Sequence, residues 1–147
     1  MDIAIAGSDD EIAACYPVMR ELRPHIPEET FVSRIRTSEK SGYRLVYMVD
    51  GDAPVAVAGI RMGENLAWGR FLYIEDLVTA ANHRSKGYGS RLLTWVREYA
   101  VAEGCAQLHL DSGMQRADAH RFYDREGLSK AGIHFSETLS LSPVPRQ

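Results

Sequence analysis

The stretch that most restricts how this chain can fold is Arg84-Ser85-Lys86-Gly87-Tyr88-Gly89, which sets two glycines at the mouth of a helix. Leu92, Leu93, Val96, Tyr99 and Ala100 keep the helical period behind it, and Gly104 is placed to cap the end. Ahead of it, Phe71 to Thr79 is rich in apolar and aromatic residues and reads as a strand. A strand, a polar loop over Ala81 to Gly89 and a long helix demand helices layered on a sheet. The first amides of a helix have no acceptor within it, glycine lets an anion approach the backbone, and the helix dipole favours negative charge there. The segment is thus a phosphate site or a capped surface loop. A Walker loop is excluded, because Lys86 precedes Gly87 instead of following it; a Rossmann fingerprint would need glycine where Leu92 stands.

The rest of the chain continues the alternation. Ile3 to Ala6 is a short strand, and Ser8 with Glu11 has capping-box spacing before Ile12, Cys15, Tyr16, Met19 and Leu22, which predict one helix. Glu28 to Lys40 is a second helix. Tyr43 to Val49 and Val55 to Met62, joined through Asp50-Gly51, predict a β-hairpin. Gln107 to Asp111 is a short strand, Ala117 to Glu126 a helix closed by Gly127, Lys130 to Leu139 a last strand or hairpin, and 140–147 a loose tail. With no repeat or linker to divide it, residues 1–139 read as one α/β domain.

Other classes are disfavoured by composition. A net charge of −3 gives no general attraction to nucleic acid or anionic membrane, so an anion has to be held locally. No apolar run is long enough to span a bilayer, and no signal peptide is visible. Cys15 and Cys105 lack metal or disulfide spacing, which suggests free thiols and a cytoplasmic location. The five histidines form no metal constellation. His120 reads as a surface or packing residue, and Trp68 and Tyr73 as core aromatics that could instead stack on a cation.

Arg84, Gly87 and Gly89 match the acetyl-CoA signature of the GNAT superfamily of N-acetyltransferases. Ile74-Glu75-Asp76-Leu77-Val78, Leu108-His109-Leu110-Asp111 and Ala119-His120-Arg121-Phe122-Tyr123 resemble further blocks of that family, in the same order. Arg116, where Asn is common, and Leu128, where Phe is frequent, depart from its pattern. The resemblance implies a central mixed, mostly antiparallel, twisted sheet flanked by helices, with two strands splayed to form a cleft for coenzyme A. It implies that backbone at Leu77, Val78 and Thr79 holds the pantetheine arm. The amides of Ser85, Lys86, Gly87, Tyr88, Gly89 and Ser90 would cradle the pyrophosphate, with Arg84 or Lys86 adding charge.

By the same resemblance, Tyr123 delivers a proton to the departing thiolate, a fitting task for a phenol with a pKa of about 10. The attacking amine must be deprotonated. The Glu75-Asp76 pair resembles that of the diamine and thialysine acetyltransferase branch, with Glu75 or water as base, Asp76 as a substrate-binding carboxylate and Asp111 as a third acidic wall or a turn residue. Neighbouring strand residues face opposite ways, so only one of Glu75 and Asp76 enters a cleft unless a bulge intervenes. The expected activity is direct transfer of acetyl from acetyl-CoA to a small-molecule amine in a ternary complex, without metal, an amide near Val78 polarising the carbonyl. A protein or peptide acceptor and a silent acyl-CoA sensor are the other readings; a homodimer is left open.

Overall fold

A computed structural model describes residues 2–139, so the tail expected over 140–147 lies outside the described residues. By its internal contacts the chain divides into two compact units, Met1–Leu110 and Asp111–Gln147. The first contains β1 (Asp2–Ile5), α1 (Asp9–Ala14), α2 (Tyr16–Leu22), α3 (Glu28–Glu39), β2 (Tyr43–Asp50), β3 (Ala53–Asn65) and β4 (Gly69–Thr79). A 3-10 turn (Ala81–His83), α4 (Tyr88–Ala102) and β5 (Gln107–Leu110) complete it. Among the described residues, no helix is long and apolar enough to cross a membrane.

The five strands lie in the order β1-β2-β3-β4-β5, antiparallel except for the parallel β4–β5 pair. This is the mixed, mostly antiparallel sheet the resemblance implied. Because strand side chains alternate, each strand feeds two layers. Tyr43, Leu45, Val57, Val78 and Ala80 join a core with Ile12, Cys15, Val18, Met19, Phe31 and Ile35 from α1 to α3. The alternate residues Val46, Met48, Ala56, Ala58, Ile60, Leu72 and Ile74 are buried on the other face. There α4 packs on β3 and β4, and Leu92, Leu93, Val96 and Ala100 of α4 are buried. The strand before the glycine turn and the helix after it are therefore fixed by the same sheet.

Two expected elements differ. The single helix predicted after Ser8 is two, broken at Cys15. Pro17 lies in the first turn of α2, where its missing N–H costs nothing, whereas one continuous helix would drive its ring into the preceding turn. Nor is Lys130 to Leu139 a strand: 129–139 carry no regular structure and are exposed, including Ile133 and Phe135. Alternating apolar residues do not make a strand without a ladder partner.

The capping box is present. Ser8 Oγ accepts from the Glu11 N–H at 3.1 Å, while Glu11 Oε1 accepts from the amides of Ser8 at 2.9 Å and Gly7 at 3.0 Å. Glu11 Oε2 takes the Tyr47 hydroxyl of β2 at 3.0 Å, and Arg36 of α3 reaches Asp9 and Gly7 O, so α1, α3 and the sheet meet at this corner. The backbone bonds from Ser8 and Gly7, with the Tyr47 bond, hold the Glu11 carboxyl down at about 2 from an ordinary 4.5. A carboxyl depressed by folding stabilises the fold above its unfolded pKa, and that contribution fades as pH falls through the folded one. Glu11→Gln should therefore lower the melting temperature at pH 7. The gap from wild type should narrow from about pH 4.5 and level off near pH 2, as followed by thermal circular dichroism.

Candidate active site

β4 carries one residue more than β3 requires. Gly59 pairs with Asp76 but Ile60 pairs with Ile74, leaving Glu75 as the extra residue of a bulge. A regular strand would aim Glu75 and Asp76 at opposite faces; the bulge brings both carboxylates to the face covered by α1 to α3.

Each carboxylate meets an arginine there. Arg61 of β3 grips both oxygens of Glu75, Nε to Oε2 at 2.5 Å and Nη2 to Oε1 at 3.3 Å, and donates through Nη1 to Ser41. Arg23, at the end of α2, donates Nε to Asp76 Oδ1 at 2.8 Å and Nη2 to the carbonyl of Glu75 at 2.9 Å. The other oxygen of Asp76 takes the Tyr43 hydroxyl at 2.8 Å, and Arg61 sits over the Tyr43 ring at 5.5 Å. Burial, then the adjacent Asp76 carboxylate, push the Tyr43 phenol well above its ordinary value, which makes it a fixed donor. Gly59 makes room for this pairing, since a Cβ there would overlap the Tyr43 hydroxyl and the Asp76 carboxylate.

Beyond the bulge one edge of β4 opens. Pairing with β5 ends at Ile74 and Leu110, while β4 runs on to Thr79. The Ala80 N–H donates to Val55 O at 2.8 Å, so antiparallel alternation turns the main chain of Val78 toward Val57 of β3. Leu77 and Thr79 turn their main-chain groups to the other side, where no strand of this unit lies among the described residues. Of the three backbone positions expected to hold a pantetheine arm, these two face the open edge.

The chain then turns into α4. Ser85 adopts φ 66°, costly for a residue with a side chain, and Gly87, the N-cap, adopts φ 78° with no side-chain cap on the helix. Amides from Gly87 to Gly89 thus begin a helix in left-handed backbone with exposed Ser85 and Lys86 before it, an arrangement suited to an anion. Two side chains hold the turn. Arg84 donates to Thr79 O at 3.3 Å and lies 3.9 Å from Glu21. Tyr88 is buried and its hydroxyl donates to Asp50 Oδ2 at the end of β2; that bond, with burial, raises its pKa. Tyr88 therefore presents backbone, not its ring, to any ligand of the turn. Ser90 lies half-buried in the first turn of α4.

Tyr123 and Asp111 belong to the second unit. Tyr123 is on α5 (Ala117–Arg125), half-buried beside Phe122 with ring centroids 5.3 Å apart, and burial raises its phenol above the ordinary value against the opposing charge of Arg116. Asp111 pairs with His134 at 3.3 Å, and His120 meets Gly113 O at 2.8 Å. In the first unit, Trp68 stacks on His109 with centroids 3.4 Å apart and lies 6.5 Å from Tyr73.

Arg23, Arg61, Tyr43 and Asp50 did not stand out in the sequence. Gly59 inside the run from Val55 to Met62 carried the one usable signal, because a glycine within a strand marks a bulge or a close approach.

The acetyltransferase (GNAT) family model matches residues 9–128. N-acetyltransferase YhdJ of Bacillus subtilis, itself uncharacterised, is 40% identical over 138 residues, covering 93% of this chain and 94% of that protein. Aminoalkylphosphonate N-acetyltransferase of Salmonella typhimurium is 38% identical over 66 residues, 45% of this chain and 43% of its own. The solved structure of a GNAT family acetyltransferase from Staphylococcus aureus has a TM-score of 0.79 at 18% identity, covering 94% of this chain and 98% of that one.

Gly59→Ala should break the Tyr43–Asp76 bond and crowd β3 against β4, costing about 2–3 kcal/mol by urea denaturation. Tyr43→Phe, which frees one Asp76 oxygen without crowding, should cost about 1 kcal/mol.

Proposed function

The chain belongs to the acetyltransferase (GNAT) family, and from that premise we propose that its acceptor is the primary amine of a small molecule, with Tyr123 as general acid and Glu75, through water, as base. Its acyl donor is acetyl-CoA. The observation that carries the reading is the open edge of β4 leading, within one turn of chain, to the left-handed backbone at Ser85 and Gly87. Leu77 and Thr79 suit an amide-bearing arm, and the turn suits a diphosphate.

When bound, acetyl-CoA supplies a thioester carbonyl open to attack by an amine. The Leu77 N–H, aimed away from β3, is the donor placed to stabilise charge developing on a carbonyl oxygen. A carbon–nitrogen bond forms and the carbon–sulfur bond breaks; the amine gives up a proton and the thiolate gains one. Arg61 bonds to each oxygen of Glu75 and leaves each a further lone pair, and in this reading a water on one of them relays the amine's proton. The phenol of Tyr123, raised by burial, stays protonated through neutral and mildly alkaline pH, the state an acid needs. A small acceptor is supported by the relative whose name records an aminoalkylphosphonate.

Acetyl-CoA at about a hundred times its Kd should raise the melting temperature by about 5–10 °C. A panel of small amines should release free CoA thiol. Binding without turnover across the panel would favour the sensor reading, and acetylation of peptides alone a macromolecular acceptor. Tyr123→Phe should lower kcat about a hundredfold. Wild-type kcat should rise with pH as the amine deprotonates and fall only above about pH 10, a decline the variant should lack. Full turnover by Tyr123→Phe would remove this residue from the mechanism.

A further inference from the structure

The four charges at the bulge cancel. Glu75 is held by Arg61 and Asp76 by Arg23, and the second oxygen of Asp76 is taken by Tyr43. A dicationic acceptor would meet no net negative field there. To bind its second ammonium it would have to displace a guanidinium already paired at 2.5–2.8 Å.

The two arginines differ in what they have left to give. Arg61 spends Nε, Nη1 and Nη2 on Glu75 and Ser41. Arg23 spends Nε and one Nη2 bond on Asp76 and the Glu75 carbonyl, and its side chain is 39% exposed. The bonded edge of its guanidinium sits on the bulge, at the carbonyl of Glu75 two residues before Leu77, whose main chain faces the open edge of β4, and its remaining N–H groups are left for a further partner. A planar guanidinium can pair with a second oxyanion without releasing its first.

We propose that Arg23 is an acceptor-binding residue that selects amines carrying a carboxylate or phosphonate on the same small skeleton, and that the neutralised Glu75–Asp76 pair rejects diamines. The inference rests on the amine-acetyltransferase reading above and replaces the diamine preference suggested by the acidic dipeptide alone. The anionic end of the acceptor bonds to the outward N–H groups of Arg23, while its amine points along β4 toward Leu77. The polarity of the acceptor is thereby fixed.

The test compares four acceptors of similar length with saturating acetyl-CoA: 3-aminopropionate, 2-aminoethylphosphonate, propylamine and 1,3-diaminopropane. The expected kcat/KM for at least one anionic amine exceeds that for the diamine by about tenfold or more, and the two anionic members separate a carboxylate site from a phosphonate site. Arg23→Gln should lower the ratio of anionic amine to propylamine about tenfold and move selectivity toward the diamine, because Asp76 then loses its counter-charge. Equal losses for propylamine and the anionic amines, leaving the ratio unchanged, would make Arg23 a structural residue and overturn the proposal. A wild-type preference for 1,3-diaminopropane would overturn it without any variant, and would leave the acetyltransferase reading standing. If acetyl-CoA raises the melting temperature but none of a broad amine panel is acetylated, both fall together.

Discussion

The bulge at Glu75 is the constraint from which the rest of the first unit's chemistry follows. An uninterrupted β4 would send one carboxylate to the face covered by α4 and leave the other alone on the face covered by α1 to α3. The extra residue puts two acids side by side on one face, a repulsive arrangement unless counter-charges are supplied. The fold supplies them from two directions, Arg61 from the adjacent strand and Arg23 from the end of α2. Both pairs are partly solvated, so each adds about 1 kcal/mol or less. Their effect lies in electrostatic balance and geometry more than in stability.

The same strand organises the opposite end of the site. Past the bulge, Val78 returns its hydrogen bonds to β3 while Leu77 turns its main-chain groups outward and Thr79 its N–H, the Thr79 carbonyl being held by Arg84, and the chain goes on into the turn before α4. That turn is held at a strained Ser85 and a left-handed Gly87 by the sheet itself: Arg84 reaches back to Thr79, and Tyr88 reaches across to Asp50 at the end of β2. Strain of this kind persists when surrounding contacts enforce it. The Tyr88–Asp50 bond is such a contact.

Much of this was legible beforehand, for identifiable reasons. Local signals gave the capping box at Ser8 and Glu11, the hairpin at Asp50-Gly51, and the strand, turn and helix around Gly87, because each is encoded within a few residues. Arg23 and Arg61 were silent, because their partners lie 53 and 14 residues away and only the sheet register brings them together. The bulge was foreseen only as a condition, since nothing in Ile74 to Leu77 says where β4 slips against β3. Pro17 was legible in principle: an unbroken apolar period from Ile12 to Leu22 hid the ring that splits the helix. Lys130 to Leu139, expected as a last strand or hairpin, erred in the opposite sense: 129–139 carry no regular structure, and a strand needs a ladder partner that sequence does not display.

The turn before α4 offers its ligand peptide groups, whereas the bulge presents guanidinium and carboxylate heads. Main-chain recognition tolerates drift in every side chain that preserves the local backbone, while head-group recognition changes with a single codon. On the reading proposed above, the donor end would tolerate substitution at most side chains that keep the local backbone, while the acceptor end would shift its choice with a single one.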